Sequence, residues 1–263
     1  MLGAAVVILL CLAALTAPLI APTDPYGMDM VARLRPPSAA HPLGTDDFGR
    51  DLLSRLVWGA RVSLAVGLSS VAMALVVGVT VGLVSGYTGG LVDLLLMRLV
   101  DVFLAFPAIL LALTFVAALG PNEQNVAIAL ALTFWTTYAR LVRASALALR
   151  DQEYVQSARV LGAGTTRILL RHVLPNLIGP VIVVATLGLG VAITSEAALS
   201  FLGLGAQPPT PSWGGTLTFG LQFLRQAPWL ATFPGLAIMV TVLGFNLLGD
   251  GLRDLLDPRQ RTS

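Results

Sequence analysis

The sequence contains no lysine: all 16 of its basic residues are arginine. A nucleotide-binding phosphate loop of the G-x-x-x-x-G-K-[ST] type needs a lysine ammonium beside the phosphates, and Schiff-base catalysis needs a free amine. The absence of lysine therefore excludes both kinds of site from this chain.

Cysteine and histidine are almost absent as well. The single cysteine, Cys11, lies in an apolar run, so neither an intrachain disulfide nor a cysteine metal cluster can form. His41 and His172 are the only histidines, and the zinc-protease pattern H-E-x-x-H is missing. We expect no catalytic residue, no metal site and no cofactor in this chain.

Charge is scarce: 11% of the 263 residues are charged, whereas soluble domains have about 25%, and the mean hydropathy is +0.83. Long stretches lack Asp, Glu, Lys and Arg, and most reach the roughly 20 apolar residues that cross a bilayer. The pI near 9.1 could suggest nucleic acid, but the net charge is only +2 and the arginines stand between apolar runs. Membrane topology explains them better, and we expect no nucleic-acid partner.

The uncharged stretches predict an all-α integral membrane protein with six transmembrane helices. We expect the spans at about 1–21, 62–87, 99–119, 125–142, 177–200 and 229–249. The first could be a cleavable signal peptide, but no positive charge precedes Arg33 and its apolar core is long, so we expect a retained helix. The uncharged start also suggests that a short cytoplasmic leader precedes Met1.

The segments between the spans suggest three parts. Residues 1–60 comprise the first helix, an extracytoplasmic loop and, from about 50 to 61, an amphipathic helix in the membrane interface, with Asp51 and Arg55 four apart on one face. Residues 61–249 form a five-helix core with a cytoplasmic loop at 143–175. Residues 250–263 form a cytoplasmic tail.

Within the core, the second span is rich in Gly, Ser and Ala, which lets helix backbones approach closely in lipid. Non-helical connections are expected at 86–98, 120–124 and 203–228. With both termini in the cytoplasm, the inner segments hold ten arginines and the outer segments six. This distribution favours that orientation.

The loop at 143–175 is the most informative segment, because loops of that length without a purpose are uncommon. Residues 153–161 predict a short helix with a small-residue face at Ser157 and Ala158. Gly162 is placed to end this helix in a left-handed conformation.

The following residues predict a second helix, which Thr165 or Thr166 can cap, and Pro175 marks its junction with the fifth span. By these residues alone, the loop fits a docking element for a partner and an ordinary cytoplasmic loop equally well.

Residues 156–176, QSARVLGAGTTRILLRHVLPN, resemble the EAA loop of bacterial ABC importer permeases. That pattern reads E-A-A, three residues, Gly, and a hydrophobic-x-Leu-Pro ending. The matching positions here are Gln156, Ser157 and Ala158, then Gly162, and finally Leu174 with Pro175. Gln replaces the leading Glu and Ser replaces the first Ala.

Three further segments resemble one branch of that family, the second (C-type) membrane subunit of the dipeptide/oligopeptide/nickel permeases. They are HPLGTDDFGRDLLSRLVWGARVSL at 41–64, EAALSFLGLG at 196–205 with PSWGG at 211–215, and GDGLRDLLDPR at 249–259. The resemblance implies the type I importer fold in a bacterial or archaeal cytoplasmic membrane. It also implies a homologous second permease, two partner subunits that hold ATP and Mg, and an extracytoplasmic solute-binding protein.

The resemblance places the coupling to the ATPase subunits in the loop. The residues expected to serve it are Glu153, Tyr154, Gln156, Ser157, Ala158, Leu161, Gly162, Ala163, His172 and Pro175. His172 is too isolated for a metal ligand and is expected to pack towards the ATPase side.

Three polar residues are candidates for the translocation path or a helix interface. Glu196 is either a gate residue facing the partner permease or, as we favour, a carboxylate near the outer interface that is hydrogen-bonded to a helix terminus. Asp101 lies three residues after Arg98, a spacing typical of a local ion pair. Asn246 is expected to bridge two helices by a hydrogen bond.

Together these features predict the permease subunit of an ATP-driven, binding-protein-dependent importer, for di- or oligopeptides. One alternative is a secondary transporter driven by an ion gradient, which should show broken helices and several intramembrane carboxylates. The other is an importer of a non-peptide solute such as nickel or a glycoside.

Overall fold

The computed structural model describes residues 2–256, and within that range it is built from helices with no β-sheet. Four helices are long and apolar enough to cross a membrane: Leu52–Thr88, Glu123–Arg150, Thr165–Phe201 and Trp229–Leu256. The predicted all-helical membrane fold is confirmed.

The predicted first span consists of two short helices, α1 (Leu2–Leu15) and α2 (Ala17–Ile20). Thr16 separates them, and its hydroxyl donates to the carbonyl of Leu12 at 2.6 Å. Helix α1 packs against the last helix, α11 (Trp229–Leu256), so closely that a β-carbon on Gly3 would lie 2.5 Å from the amide nitrogen of Leu248.

Helix α3 (Leu52–Thr88) includes segments that the sequence suggests are separate. The amphipathic stretch at 50–61 forms its first turns, so the expected helix lying in the interface is wrong. Asp51 caps α3 by accepting from the amide of Ser54 at 2.8 Å, and the helix then continues to Gly89, whose φ is +65°. The expected connection at 86–98 is also wrong, because Gly89 alone interrupts the helix and α4 (Gly90–Leu104) follows at once.

The predicted third span, at about 99–119, consists of two helices rather than one. Helix α4 is followed by α5 (Ala108–Leu119), and the two are bent by 87° at residues 105–107. Pro107 precedes α5 with extended backbone, and proline disfavours helical backbone at the residue before it. If the bent pair is counted as one span, the described residues contain five helical segments long and apolar enough to cross a membrane.

Helices α3 and α6 (Glu123–Arg150) are the central pair. Three glycines spaced four apart lie against the α6 backbone: a β-carbon on Gly78, Gly82 or Gly86 would be 2.5, 2.6 or 2.6 Å from the carbonyl oxygen of Trp135, Ala139 or Arg143. Any larger side chain would force the helices apart. The predicted close approach in the second span and the short turn before α6 are both confirmed.

The segment predicted to form the loop contains α7 (Glu153–Val160) and α8 (Thr165–Ile168), and a π-helical turn, Leu169–Val173, joins α8 to α9 (Leu174–Phe201). Pro175 lies in the first turn of α9, where a missing amide is tolerated, so it marks the start of the fifth span as predicted. No threonine caps α8: Gly164 precedes it without a side-chain bond, and Thr165 is its first residue.

The glycine- and proline-rich stretch at 203–228 was expected to be non-helical. This expectation is wrong, because the stretch contains α10 (Trp213–Leu221). Ser212 starts this helix by accepting from the amide of Gly215 at 3.1 Å. Buried Trp213 ties it to α3 by donating to the carbonyl of Leu56 at 2.9 Å. The predicted tail begins as a continuation of α11, and its residues 257–263 lie outside the described part.

Candidate functional site

Helix α7 is anchored at one end of the molecule by a single fully buried side chain, Val155. It belongs to a cluster contributed by α3, α6 and the helix that follows the loop: Leu83, Tyr87, Val142, Ala146, Ile168, Val173 and Leu177. Ala158 and Ala163 pack against the same cluster. The loop helix is therefore fixed to the ends of three spanning helices.

A polar contact adds a second attachment between α7 and α3. The guanidinium of Arg159 lies 5.5 Å from the ring centroid of Tyr87, and its Nη2 donates to the Tyr87 hydroxyl at 3.2 Å. A cation over an aromatic face contributes about 0.5–1 kcal/mol at exposed sites. This contact connects the loop helix to the last turn of α3.

Gly162 ends α7 in the left-handed conformation that the sequence predicts, with φ +80°. The amide of Ala163 donates to the carbonyl of Ala158, and that of Gly162 to the carbonyl of Arg159, both at 3.0 Å. Such bonds satisfy carbonyls at the helix end. A β-carbon on Gly162 would meet no atom within 4 Å, so only the backbone conformation restricts this position.

The tip of the loop exposes apolar surface. Val160 and Leu161 are 86% and 87% exposed, and Tyr154 is exposed beside the half-buried His172, with their ring centroids 6.5 Å apart. Of the other predicted coupling residues, Glu153, Ser157 and Pro175 are exposed and Gln156 is half-buried. The structure thus places the predicted residues from Glu153 to Ala163 on α7 and the turn that ends it, whereas His172 and Pro175 lie in the π-helical turn and in α9.

Two ion pairs near the same end join α4 to α6. Asp93 accepts from Nε and Nη2 of Arg143 at 2.5 and 2.6 Å, and the hydroxyl of Ser85 also donates to it. Asp101 pairs with Nη2 of Arg140 at 2.6 Å, so the predicted local pair with Arg98 is wrong. Sequence reasoning missed both partners because they lie 50 and 39 residues away.

Glu196 lies in α9 and is only 2% exposed. Its Oε1 accepts from the hydroxyl of Ser200 at 2.7 Å, while Oε2 has no hydrogen-bond partner among residues 2–256. The expected bond to a helix terminus is therefore wrong: the partner is one turn further along the same helix. Asn246 faces Gly190 of α9, but its side chain makes no hydrogen bond within the described range, so the expected bridge is not formed.

The opposite end of α3 carries a segment, residues 22–51, organised around buried charges. Asp46 accepts from Nε of Arg50 at 2.6 Å and lies 3.7 Å from Nε of Arg55, and it also accepts from the amides of Phe48 and Arg50. Burial, followed by the charge of Asp46, raises the pKa of the neighbouring Asp47. The sequence signal for this network is the density of Asp, Gly and Arg in HPLGTDDFGRD.

Asp51 makes two side-chain contacts in this segment rather than one with Arg55. Its Oδ1 lies 3.0 Å from Nδ1 of His41, and its Oδ2 accepts from the Ser54 hydroxyl at 2.9 Å. Since α3 has 37 residues, the two ends of the molecule are separated by about 55 Å along it.

The chain is similar to known families. The model of the "Binding-protein-dependent transport system inner membrane component" family matches residues 78–262, and that of the "N-terminal TM domain of oligopeptide transport permease C" matches residues 1–37.

Individual proteins are similar over nearly the whole chain. The dipeptide transport system permease protein DppC of Escherichia coli (strain K12) is 50% identical over 263 residues, covering 98% of this chain and 88% of that protein. DppC of Alkalihalophilus pseudofirmus is 48% identical, with 95% and 83% covered. The di/tripeptide transport system permease protein of Pseudomonas aeruginosa is 46% identical, with 99% and 88% covered.

Among solved structures, an inward-facing conformation of the MetNI methionine ABC transporter matches 77% of this chain and 97% of its own, with TM-score 0.62 and 19% identity. This likeness shows the shared type I ABC importer transmembrane fold.

Proposed function

This chain belongs to the family of binding-protein-dependent transport system inner membrane components, and from that premise we propose that it imports di- and oligopeptides together with a homologous permease. It is a multi-pass membrane permease subunit of an ABC importer. The family supports this function over the secondary transporter. The peptide substrate is supported by three relatives that are 46–50% identical over nearly the full chain.

ATP and Mg are placed on two partner subunits, because a chain without lysine has no side chain for a conventional phosphate loop. An extracytoplasmic binding protein delivers the solute. The energy of ATP binding and hydrolysis then reaches this chain through contact alone.

The observation that carries the coupling role is the construction of α7. Its buried side, at Val155, is fixed to the ends of α3, α6 and α9, whereas Val160 and Leu161 project from its tip. Exposed apolar side chains on a polar loop are typical of a surface that a partner covers. Movement of an ATPase subunit against this tip would therefore be passed to three spanning helices as one body.

We expect Gly162→Val to uncouple transport while the protein still reaches the membrane. A β-branched residue at φ +80° is strained by about 1–3 kcal/mol, so α7 would end in a different direction. Substrate-stimulated ATPase activity of the reconstituted complex should fall at least about fivefold, and the permease should remain in the membrane fraction, since the spans are untouched.

Gly164→Val is the matched control. Gly164 has φ −66° and open space around it, so a side chain fits there without strain. Equal ATPase stimulation in the two variants would remove the coupling role from residues 153–175.

We expect both termini and α7 on the cytoplasmic side. In a Cys11→Ala background, an impermeant thiol reagent added to intact cells should label Ala39→Cys and not Arg159→Cys, since both positions are exposed at opposite ends of α3. Labelling of Arg159→Cys from outside would reverse the orientation.

Peptide transport itself is tested by uptake of a radiolabelled dipeptide into proteoliposomes that contain the assembled complex and its binding protein. ATP-dependent accumulation supports the proposed substrate. If the vesicles accumulate nickel or a glycoside but not the dipeptide, the proposed peptide substrate is wrong.

A further inference from the structure

A cleft of about 410 Å³ opens at the end of the molecule that carries residues 22–51. One wall comes from that segment and the start of α3, and the other from α10 and the linker that joins it to α9. Small-molecule sites have volumes of about 300–1,000 Å³, so a short peptide or part of one can enter.

The charged residues in the cleft wall are unbalanced. Asp46, Arg50 and Arg55 line it, which leaves one positive charge in surplus. The carboxylate of Asp46 is already shared by both arginines and by two backbone amides. It has little capacity left for a cation from outside.

Arg50 retains hydrogen-bonding capacity. The residue is only 7% exposed. Its Nε donates to Asp46, but within residues 2–256 neither Nη1 nor Nη2 makes a hydrogen bond. The guanidinium is held in place from its other side by the ring of Phe48, 4.6 Å away. Two terminal nitrogens in one plane match the two oxygens of a carboxylate.

The rest of the wall is apolar, with several amide and hydroxyl side chains. Phe219 stacks with Phe48, with ring centroids 6.3 Å apart, and the side chains of Gln207 and Gln222 line the cleft. Aromatic rings accept the apolar side chains of a peptide, and amides can bond to its backbone. The lining therefore suits a small amphiphile with one carboxylate.

We propose that this cleft binds the carboxylate end of a short peptide through the terminal nitrogens of Arg50, at the extracytoplasmic face of the permease. The inference rests on the proposed peptide substrate and on the orientation given above. The site would receive the peptide after the binding protein releases it.

The test uses the full-length permease in its complex, in nanodiscs without the binding protein. Equilibrium dialysis compares ¹⁴C-labelled dialanine with labelled dialanine amide, which lacks the terminal carboxylate. We expect the acid to bind at least about tenfold more tightly than the amide, because charge-assisted bonds to a buried guanidinium are lost with the amide. Equal binding of the two would overturn the proposal.

Substitutions that change the charge at the rim of the cleft test whether the peptide carboxylate binds there, and they leave the buried ion pairs intact. Gln222 is exposed and lines the cleft, so Gln222→Glu should weaken binding of the acid about two- to fivefold and Gln222→Arg should strengthen it by a similar factor. Gln226→Glu, exposed nearby but outside the cleft wall, should change nothing. The same response at both glutamine positions would contradict the site.

Competitors identify the ligand class. Inorganic phosphate that displaces dialanine at equal concentration would show a general anion site and would reject the peptide subsite. Uptake by the complete complex separates the two hypotheses: normal dipeptide transport without acid-over-amide selectivity rejects only the cleft, whereas absence of dipeptide transport rejects the proposed function.

Discussion

Gly82→Leu is expected to prevent stable assembly of the helical core. The β-carbon alone would lie 2.6 Å from the carbonyl oxygen of Ala139 and 2.7 Å from the β-carbon of Val142, and a leucine adds three further carbons. Backbone atoms of α6 cannot rotate away as a side chain can. We expect a loss of about 3 kcal/mol or more, at or beyond the upper end of ordinary overpacking in a core.

Thermal unfolding of the purified permease in detergent, followed by tryptophan fluorescence, measures this effect. Gly179→Leu is the matched control, since Gly179 is also in a spanning helix but borders a cavity of about 350 Å³ that can accept the new side chain. Unfolding temperatures that fall equally in both variants would show that the α3–α6 contact is not decisive.

Asp46→Asn is expected to have the second-largest effect. The change leaves Arg50 and Arg55 buried without their shared countercharge, and breaking a buried ion pair by removing one partner costs about 3–5 kcal/mol. Residues 22–51 should unfold locally. Trypsin cleavage after Arg33, which is exposed, should accelerate by at least about tenfold.

The adjacent substitution Asp47→Asn should slow trypsin cleavage of residues 22–51 or leave its rate unchanged. Burial raises the pKa of Asp47, and its Oδ1 has no hydrogen-bond partner in the described part of the chain, so the charged form opposes folding. That penalty grows as the pH rises through the raised pKa, and it disappears in the asparagine variant. Faster cleavage of Asp47→Asn than of the parent at pH 8 would contradict this account.

Features set by neighbours in the sequence could be predicted, and most were. The helix at 153–160 and the left-handed Gly162 follow from local helix and cap preferences, and the richness of the second span in Gly, Ser and Ala predicted close helix contact. Resemblance, rather than physics, separated a coupling loop from an ordinary one.

Features set by distant residues could not be predicted from spacing. Asp101 has Arg98 three positions before it, yet the fold presents Arg140 from another helix, and only the packing of α4 on α6 decides between them. The bend at Pro107 was missed because the surrounding uncharged run satisfies hydropathy whether or not the helix is straight. Helix α10 was missed because a serine cap and buried Trp213 outweigh its glycines.

The π-helical turn at Leu169–Val173 has a consequence for exchanging loops between permeases. It fits one residue more into its turn than an α-helix does, and one residue corresponds to about 100° of rotation about the axis. The extra residue therefore determines the direction in which α7 leaves the axis of α9. A chimera that imports residues 151–168 from a relative must keep this turn intact, or its loop will point to a different side of the complex even though every residue of the loop is correct.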